Sequence, residues 1–507
     1  MKRFLALALS LLMILGVLLM AGCNDSSSKD SSTTKKPAGT TAGTTAGNDD
    51  TSSSDDDITT PSDDPYQKMN GYDDITFGGR VFTLVGALGE DDGFNSAKEI
   101  YSEEADAISV AVRERNALIE SYYDCTIVGR GSASPAGEAS TDINGNQHNL
   151  DIYTHHYNFA AVATEGNAYN LMEIGTREID FSKGWWDQQF IGSYAVKNSS
   201  GKETLYSIVG DFALTTYDCT HAIVYNKTVF QNESKINNID IYDLVRNKKW
   251  TMDQFQFMVK NVAKDNAGGP EIDSQAGDIS GWIRTIHASH GLHTASGLSI
   301  MKNTNGVLSF DVDKNTETWT TVIDKAREIW AMPEGQTVSY SVIPETLAGG
   351  YALFASEILG SSLGNLKDFD AEIGLLPYPL YSESQENYAH YVDNHVYAYS
   401  IPTSVPDPDT VADFLAVYAF HSQIVREAYI NVYAYDYCSD PQSAEMLDII
   451  LDTMTYDIGY LNASLEGDLS NMIQNNKNNV AQFAAKKATT ANEWITKFIA
   501  GIDDNNV

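Results

Sequence analysis

Runs of β-branched and aromatic residues alternate with amphipathic stretches along most of this chain of 507 residues. Val81-Phe82-Thr83-Leu84-Val85 reads as a buried strand, and a Gly- and acid-rich loop follows it. From Glu103 to Tyr122 the period changes to that of a helix, with Ile108, Val112, Ile119 and Tyr122 on one face. Strand signals recur at Cys125 to Val128, Leu150 to Thr154, Leu205 to Val209 and Ala222 to Tyr225. A helix is predicted to start at Thr251, with Gln254 in the capping-box position and Met252, Phe255, Val259 and Val262 as its apolar stripe. Another is predicted from Thr490, with Glu493 in the same position and Trp494, Ile495 and Phe498 following. Strands alternating with helices predict α/β sheets covered by helices, with ligands beyond the carboxyl ends of the strands.

The two ends of the pattern differ from its middle. Lys2 and Arg3 precede an apolar run from Phe4 to Met20, then Ala21, Gly22 and Cys23. That order is a secretory leader ending on a cysteine, so residues 1–22 are expected to be a lipoprotein signal peptide and Cys23 the lipidated N-terminus. The expected location is the outer face of the cytoplasmic membrane. The alternative, an uncleaved anchor, needs about 20 apolar residues, more than this run offers. No other stretch is long and apolar enough to span a bilayer. Residues 24–65 are Ser, Thr, Asp, Gly and Ala with scattered Pro, including the near-repeat Thr40-Thr41-Ala42-Gly43-Thr44-Thr45-Ala46-Gly47. Nothing there offsets the entropy of ordering, so a disordered tether with an r.m.s. span of roughly 35 Å is expected.

Charge narrows the ligand. Asp and Glu number 69 against 33 Lys and Arg, a net charge of −36, and loss of Lys2 and Arg3 with the leader makes it more negative. Such a body is repelled by nucleic acid, and no basic patch marks a site for a strongly anionic ligand. Beyond Cys23 stand Cys125, Cys219 and Cys438. At most one disulfide can form among them, and they are not at metal-ligand spacing.

Ordered motifs add a family resemblance. They begin with Ala111-Val112-Arg113-Glu114-Arg115-Asn116 and Gly184-Trp185-Trp186-Asp187, then Gly210-Asp211-Phe212, Tyr217-Asp218 and Tyr225-Asn226-Lys227. Asp243-Leu244-Val245-Arg246 and Lys249-Trp250-Thr251 come next, followed by Ile373-Gly374-Leu375-Leu376-Pro377-Tyr378-Pro379. The last are Gln385-Glu386-Asn387-Tyr388, Ser443-Ala444-Glu445-Met446-Leu447-Asp448 and Tyr456-Asp457-Ile458-Gly459-Tyr460. Over roughly residues 75 to 500 this order resembles extracellular solute-binding protein family 1, the maltose-binding-like substrate-binding lipoproteins of ABC transporters, in its clostridial form. His155-His156 and Cys219 depart from the pattern. The resemblance implies a two-lobe α/β periplasmic-binding-protein-like fold with a multi-strand hinge and a ligand cleft between the lobes. Lobe one would comprise 66–220 plus 396–450, and lobe two 221–395 plus 451–507. It further implies a monomer without catalysis or cofactor, which passes a carbohydrate, an oligosaccharide, to membrane permease subunits.

Candidate ligand residues follow from the strand ends. His156 and Tyr157 stand after Leu150 to Thr154, and Asp211, Tyr217 and Asp218 stand before the strand expected to cross between lobes. A pyranose needs flat apolar faces and carboxylate or amide partners, a mixture that these residues supply. The alternative is that Asp211 and Asp218 cap turns and Tyr217 packs the hinge. Of Trp185 and Trp186, one is expected to pack a helix; Trp186 is kept as a ligand candidate. By the family's layout Ser356 and Glu357 end a helix facing the cleft, and Tyr456 and Tyr460 pass its rim. His287, His290 and His293 lack a completing Cys or carboxylate, and Gly291 is expected to end their helix, so no metal site is read. No H-E-x-x-H or phosphate-binding Gly loop occurs. A tethered glycoside hydrolase and a same-fold sensor or scavenger of a non-sugar ligand remain as alternatives.

Overall fold

The computed structural model describes residues 63–505 apart from 90–93, 157–158, 368, 439, 464, 466 and 477–478. Cys23, the leader, most of the tether and Tyr157 lie outside the described residues. The first sheet opens with β1 (Arg80–Ala87). Helix α1 (Ala107–Tyr123) follows, and it starts later than its apolar period indicates because the Asp106 side chain accepts from Ser109 N. It ends at Asp124, which takes the left-handed conformation (φ 51°). Strand β2 (Cys125–Ser132) then runs parallel to β1 over all eight of its residues, and β3 (Ile152–His156) pairs with β1 on the other side. The expected strand at Leu205 to Val209 is not part of this sheet. Ile208 makes a single bridge to Tyr399, and the segment lies buried without a ladder. Its apolar residues record burial rather than strand pairing.

Helix α2 (Gln188–Tyr194) is capped by Asp187, and the short α3 (Leu214–Asp218) leads into the crossing segment. The second sheet is built from β4 (His221–Asn226), β5 (Ser280–Arg284), β6 (Gly335–Thr337), β7 (Ala352–Ile358) and β8 (Ile373–Leu376), in the order β6-β5-β7-β4-β8. Strands β5, β6 and β7 are parallel, and β4 is antiparallel to β7 and β8. Helix α4 (Met252–Val262) covers this sheet. Thr251 accepts from Gln254 N at 3.4 Å to start it, and Phe255 packs edge-on to Trp282 at 5.3 Å. Each such aromatic removed from water stabilises the fold by about 1.5–3 kcal/mol. Helix α5 (Ala288–Thr294) runs straight through Gly291, correcting the expected stop. A Cβ there would meet the Tyr378 ring at 2.4 Å, so the glycine serves close packing.

The chain returns to the first sheet as β9 (Tyr397–Ser400), antiparallel to β3 and completing the order β9-β3-β1-β2. Helices α6 (Pro408–His421) and α7 (Gln423–Asn431) follow it. Helix α8 (Pro441–Asp452) reaches toward the second sheet: Ser443 Oγ accepts from Leu375 N at 3.2 Å, and Arg246 pairs with Glu445 at 2.8 Å. The last helix, α9 (Val480–Asp504), begins ten residues before the expected Thr490. Asn479 caps it by accepting from Gln482 N, and Thr490 sits inside it. Three crossing segments lie side by side between the sheets. Asp393 N donates to Cys219 O at 2.9 Å, Thr220 bridges Val392, and His390-Tyr391 pairs with Met454-Thr455. Cys125, Cys219 and Cys438 are free and buried.

Candidate ligand-binding site

The carboxyl ends of β3, β5 and β7 point toward these crossing segments, and the side chains gathered there are rings and carboxylates. His156 ends β3 and lies opposite Tyr397, the first residue of β9, with the rings 5.0 Å apart and 30° from parallel. His395 stands 5.5 Å from His156 and 5.0 Å from Phe94, and its Nδ1 pairs with the Asp393 carboxylate. Asp393 also accepts from the Tyr391 hydroxyl at 3.3 Å. The Tyr391 ring contacts His221 at 4.8 Å and stacks on His290 at 4.9 Å, and its hydroxyl bonds that of Tyr460.

Glu357 comes from β7. It was expected at a helix end but lies in the strand, paired in register with Ala222, because Phe354 to Ile358 form a ladder with β4. Burial pushes its carboxyl up to about 7, against the opposing Ile358 N–H. Burial acts on Asp393 in the same sense, but the His395 hydrogen bond and the charges of His221, His395 and His287 hold it down at about 2. Burial lowers His221 to about 3, so its ring is neutral at physiological pH.

A second grouping lies on the Trp186 side of the crossing segments. A cavity of about 460 Å³ is lined by Trp186, Asp187, Asp211, Tyr217, Arg426 and Met454, among others. Gly210 borders it and must be glycine, since a Cβ would sit 2.6 Å from Trp185 O. Here the carboxylates have protein partners. Asp187 accepts from Gln189 N and Phe190 N, both at 2.9 Å, and from Tyr456 Oη at 2.6 Å. Asp211 accepts from Tyr217 Oη at 2.9 Å and faces Arg426 Nε at 3.6 Å. Arg426 also pairs with Asp448 and Asp452, both at 2.9 Å. Burial raises Asp187 to about 6 and Asp211 to about 7. The Trp186 indole N–H is buried without a hydrogen-bond partner, and its ring packs against Phe181 at 5.3 Å.

The sequence candidates therefore divide between two places. His156 and Glu357 stand at the ends of β3 and β7, and His156 also lines a separate cavity of about 560 Å³ with Tyr153 and His155; Trp186, Asp211 and Tyr217 line the first cavity, and Tyr456 reaches it through Asp187. Asp218 belongs to neither, since it accepts from Tyr429 Oη at 2.9 Å and from the Tyr433 hydroxyl. Sequence reasoning missed His221, Asp393 and His395 at the cleft and Arg426 at the cavity. The position of His221 and Asp393 beside the crossing strands was the available signal. His290 was weighed only as a metal ligand. Among the described residues no group of three or more side chains suited to a metal ion occurs.

Two mixed α/β sheets joined by several crossing segments make up a two-lobe α/β fold that is also found among solved structures. The chain is similar in structure to a cyclo/maltodextrin-binding protein complexed with maltotetraose, at a TM-score of 0.52 and 10% identity over 82% of this chain and 97% of that one. It is also similar to the GacH receptor of Streptomyces glaucescens GLA.O, at a TM-score of 0.48 and 11% identity over 83% and 98%. A binding protein of Bacillus subtilis in an open conformation matches at a TM-score of 0.45 and 12% identity over 82% and 97%. No protein-family model matches the sequence, and no curated protein matches it.

Proposed function

We propose that the protein is a lipid-anchored solute-binding component of an ABC importer, which captures a carbohydrate in the strand-end cleft and presents it to a membrane permease. The observation carrying this reading is the convergence of flat rings (His156, His290, Tyr391, Tyr460) with acceptor carboxylates (Asp393, Glu357) at that cleft. Rings cover the C–H face of a sugar, and carboxylates take its hydroxyls. The fold shared with a maltodextrin-binding protein supports it. In this reading lobe one is 66–220 with 396–450 and lobe two is 221–395 with 451–507, and a ligand touching both favours the closed state by its differential affinity. The Asp211 and Tyr217 group then serves the hinge.

A thermal-shift screen over mono- and oligosaccharides tests the capture step. A bound sugar at 100 times its dissociation constant adds about 2.7 kcal/mol of stability. No shift with any sugar would contradict the reading, and release of smaller sugars on incubation would replace it with a glycoside hydrolase. The anchor is tested by Cys23→Ser, which should move the protein from the membrane to the soluble fraction.

A further inference from the structure

Glu357 is 6% exposed and stands one residue from the carboxyl end of β7, where an open α/β sheet presents groups to ligands. An ionised carboxylate offers about four acceptor positions. Its Oε1 accepts from Ile358 N at 3.0 Å, the next residue of its own strand, and its Oε2 is buried with no hydrogen-bond partner. The Thr285 hydroxyl at the end of β5 lies beside the carboxyl and helps hold it down against burial, although neither that hydroxyl nor Oε2 has a hydrogen bond of full geometry. The neighbouring elements do not supply what is missing. Strand β4 brings His221, whose Nδ1 is likewise buried without a partner, and the crossing segment brings the negative charge of Asp393. Tyr378, past the end of β8, and Asp218, beside Gly360, are the other titratable groups nearby. Asp218 is occupied by Tyr429 and Tyr433. Buried polar atoms in native proteins are paired, so orphans grouped at a cleft call for a missing donor.

We propose that Glu357 is the specificity-determining residue on the second sheet's side of the cleft, its Oε2 accepting from a ligand hydroxyl or ammonium, so that the site takes neutral or amino sugars and rejects sugars bearing a carboxylate there. This rests on the solute-binding reading above. A second carboxylate would face the acceptor oxygens of Glu357, beside which Asp393 adds a further negative charge. A ligand donor also favours the ionised form of Glu357, so capture releases a proton near neutral pH and affinity rises with pH.

The test titrates maltotetraose, a chitosan tetrasaccharide and tetragalacturonate into the full chain and into Glu357→Gln and Glu357→Ala, at about pH 5 and about pH 8. Binding of a neutral or amino sugar is expected to weaken roughly ten- to hundredfold in both variants and to lose its pH dependence in Glu357→Gln. Unchanged affinity in the variants, or tetragalacturonate bound as tightly as the neutral sugar, would overturn the assignment while leaving sugar capture standing. If none of the three binds the parent chain, the melting temperature of the unliganded proteins decides it. Burial holds the folded Glu357 above its unfolded value, so its contribution is full in acid and lost as pH rises through about 7. Glu357→Gln should then melt above the parent at the higher pH and level with it at the lower. A variant that melts lower at both would make Glu357 a structural group and sink the proposal.

Discussion

The cavity around Asp211 and the cleft around Glu357 both hold buried carboxylates raised to about 7 by burial, yet they are built differently. Asp211 has the Tyr217 hydroxyl and the Arg426 guanidinium, and Asp187 has two backbone N–H groups and Tyr456. Glu357 has one backbone N–H, the Thr285 hydroxyl beside it, and an Oε2 with no hydrogen bond of full geometry. A carboxylate with its partners in place holds two elements together, here α2 to the Tyr456 segment and α3 to α7. One without them is set for something that arrives later. Satisfaction of hydrogen bonds, rather than burial or pKa, separates the two sites.

The sharpest way to break this contrast is Arg426→Ala. It strips the cation from three carboxylates and leaves Asp211 buried with Tyr217 alone. Removing one partner of a buried pair costs about 3–5 kcal/mol, and protonation of Asp211 keeps the loss near the lower end. Urea unfolding should register that loss while sugar affinity in the folded protein stays within about twofold of the parent.

Glu99 offers a comparison of pH dependence away from either site. Burial raises it to about 7, against hydrogen bonds from Thr215 N at 2.8 Å and Tyr399 Oη at 2.8 Å. The folded state holds this proton more tightly than the unfolded chain, whose carboxyl titrates near the ordinary glutamate value of 4.5. The contribution is therefore complete in acid and disappears as pH rises through about 7, amounting to about 3 kcal/mol at most. The melting temperature of Glu99→Gln should fall less steeply across that window than the parent's, with equal slopes as the contrary result. The smallest expected change is Tyr217→Phe. Loss of one hydrogen bond to Asp211 should cost about 1 kcal/mol of stability, with sugar affinity unaltered. A tenfold affinity loss there would return the ligand to the cavity.

Much of the fold was legible in the chain. The strands at Val81, Cys125, Leu150 and Ala222 were found from their apolar runs, and α4 from Thr251, its cap, because local signals and tertiary packing agree there. Leu205 to Val209 misled because a buried loop and a buried strand carry the same apolar residues. Thr490 looked like a cap because Thr-x-x-Glu also arises by chance within a long helix whose true cap is Asn479. At the sites the limit was distance along the chain. His156 was visible at a strand end and Glu357 only through the family's layout, at a helix end that proved to be a strand, and their neighbours His221 and Asp393 arrive from segments more than thirty residues away from either. Asp211 and Arg426 are likewise joined only by the fold.

Capture at the strand-end cleft is tested most directly by hydrogen–deuterium exchange on the full chain, with and without saturating maltotetraose or whichever sugar gives the largest thermal shift. Slowed exchange is expected at Thr285 to His290, Glu357 to Gly360 and Asp393 to Val396, with little change at Gly184 to Gln188 and Gly210 to Tyr217. Protection centred on the latter two segments, or none in either region, would contradict it.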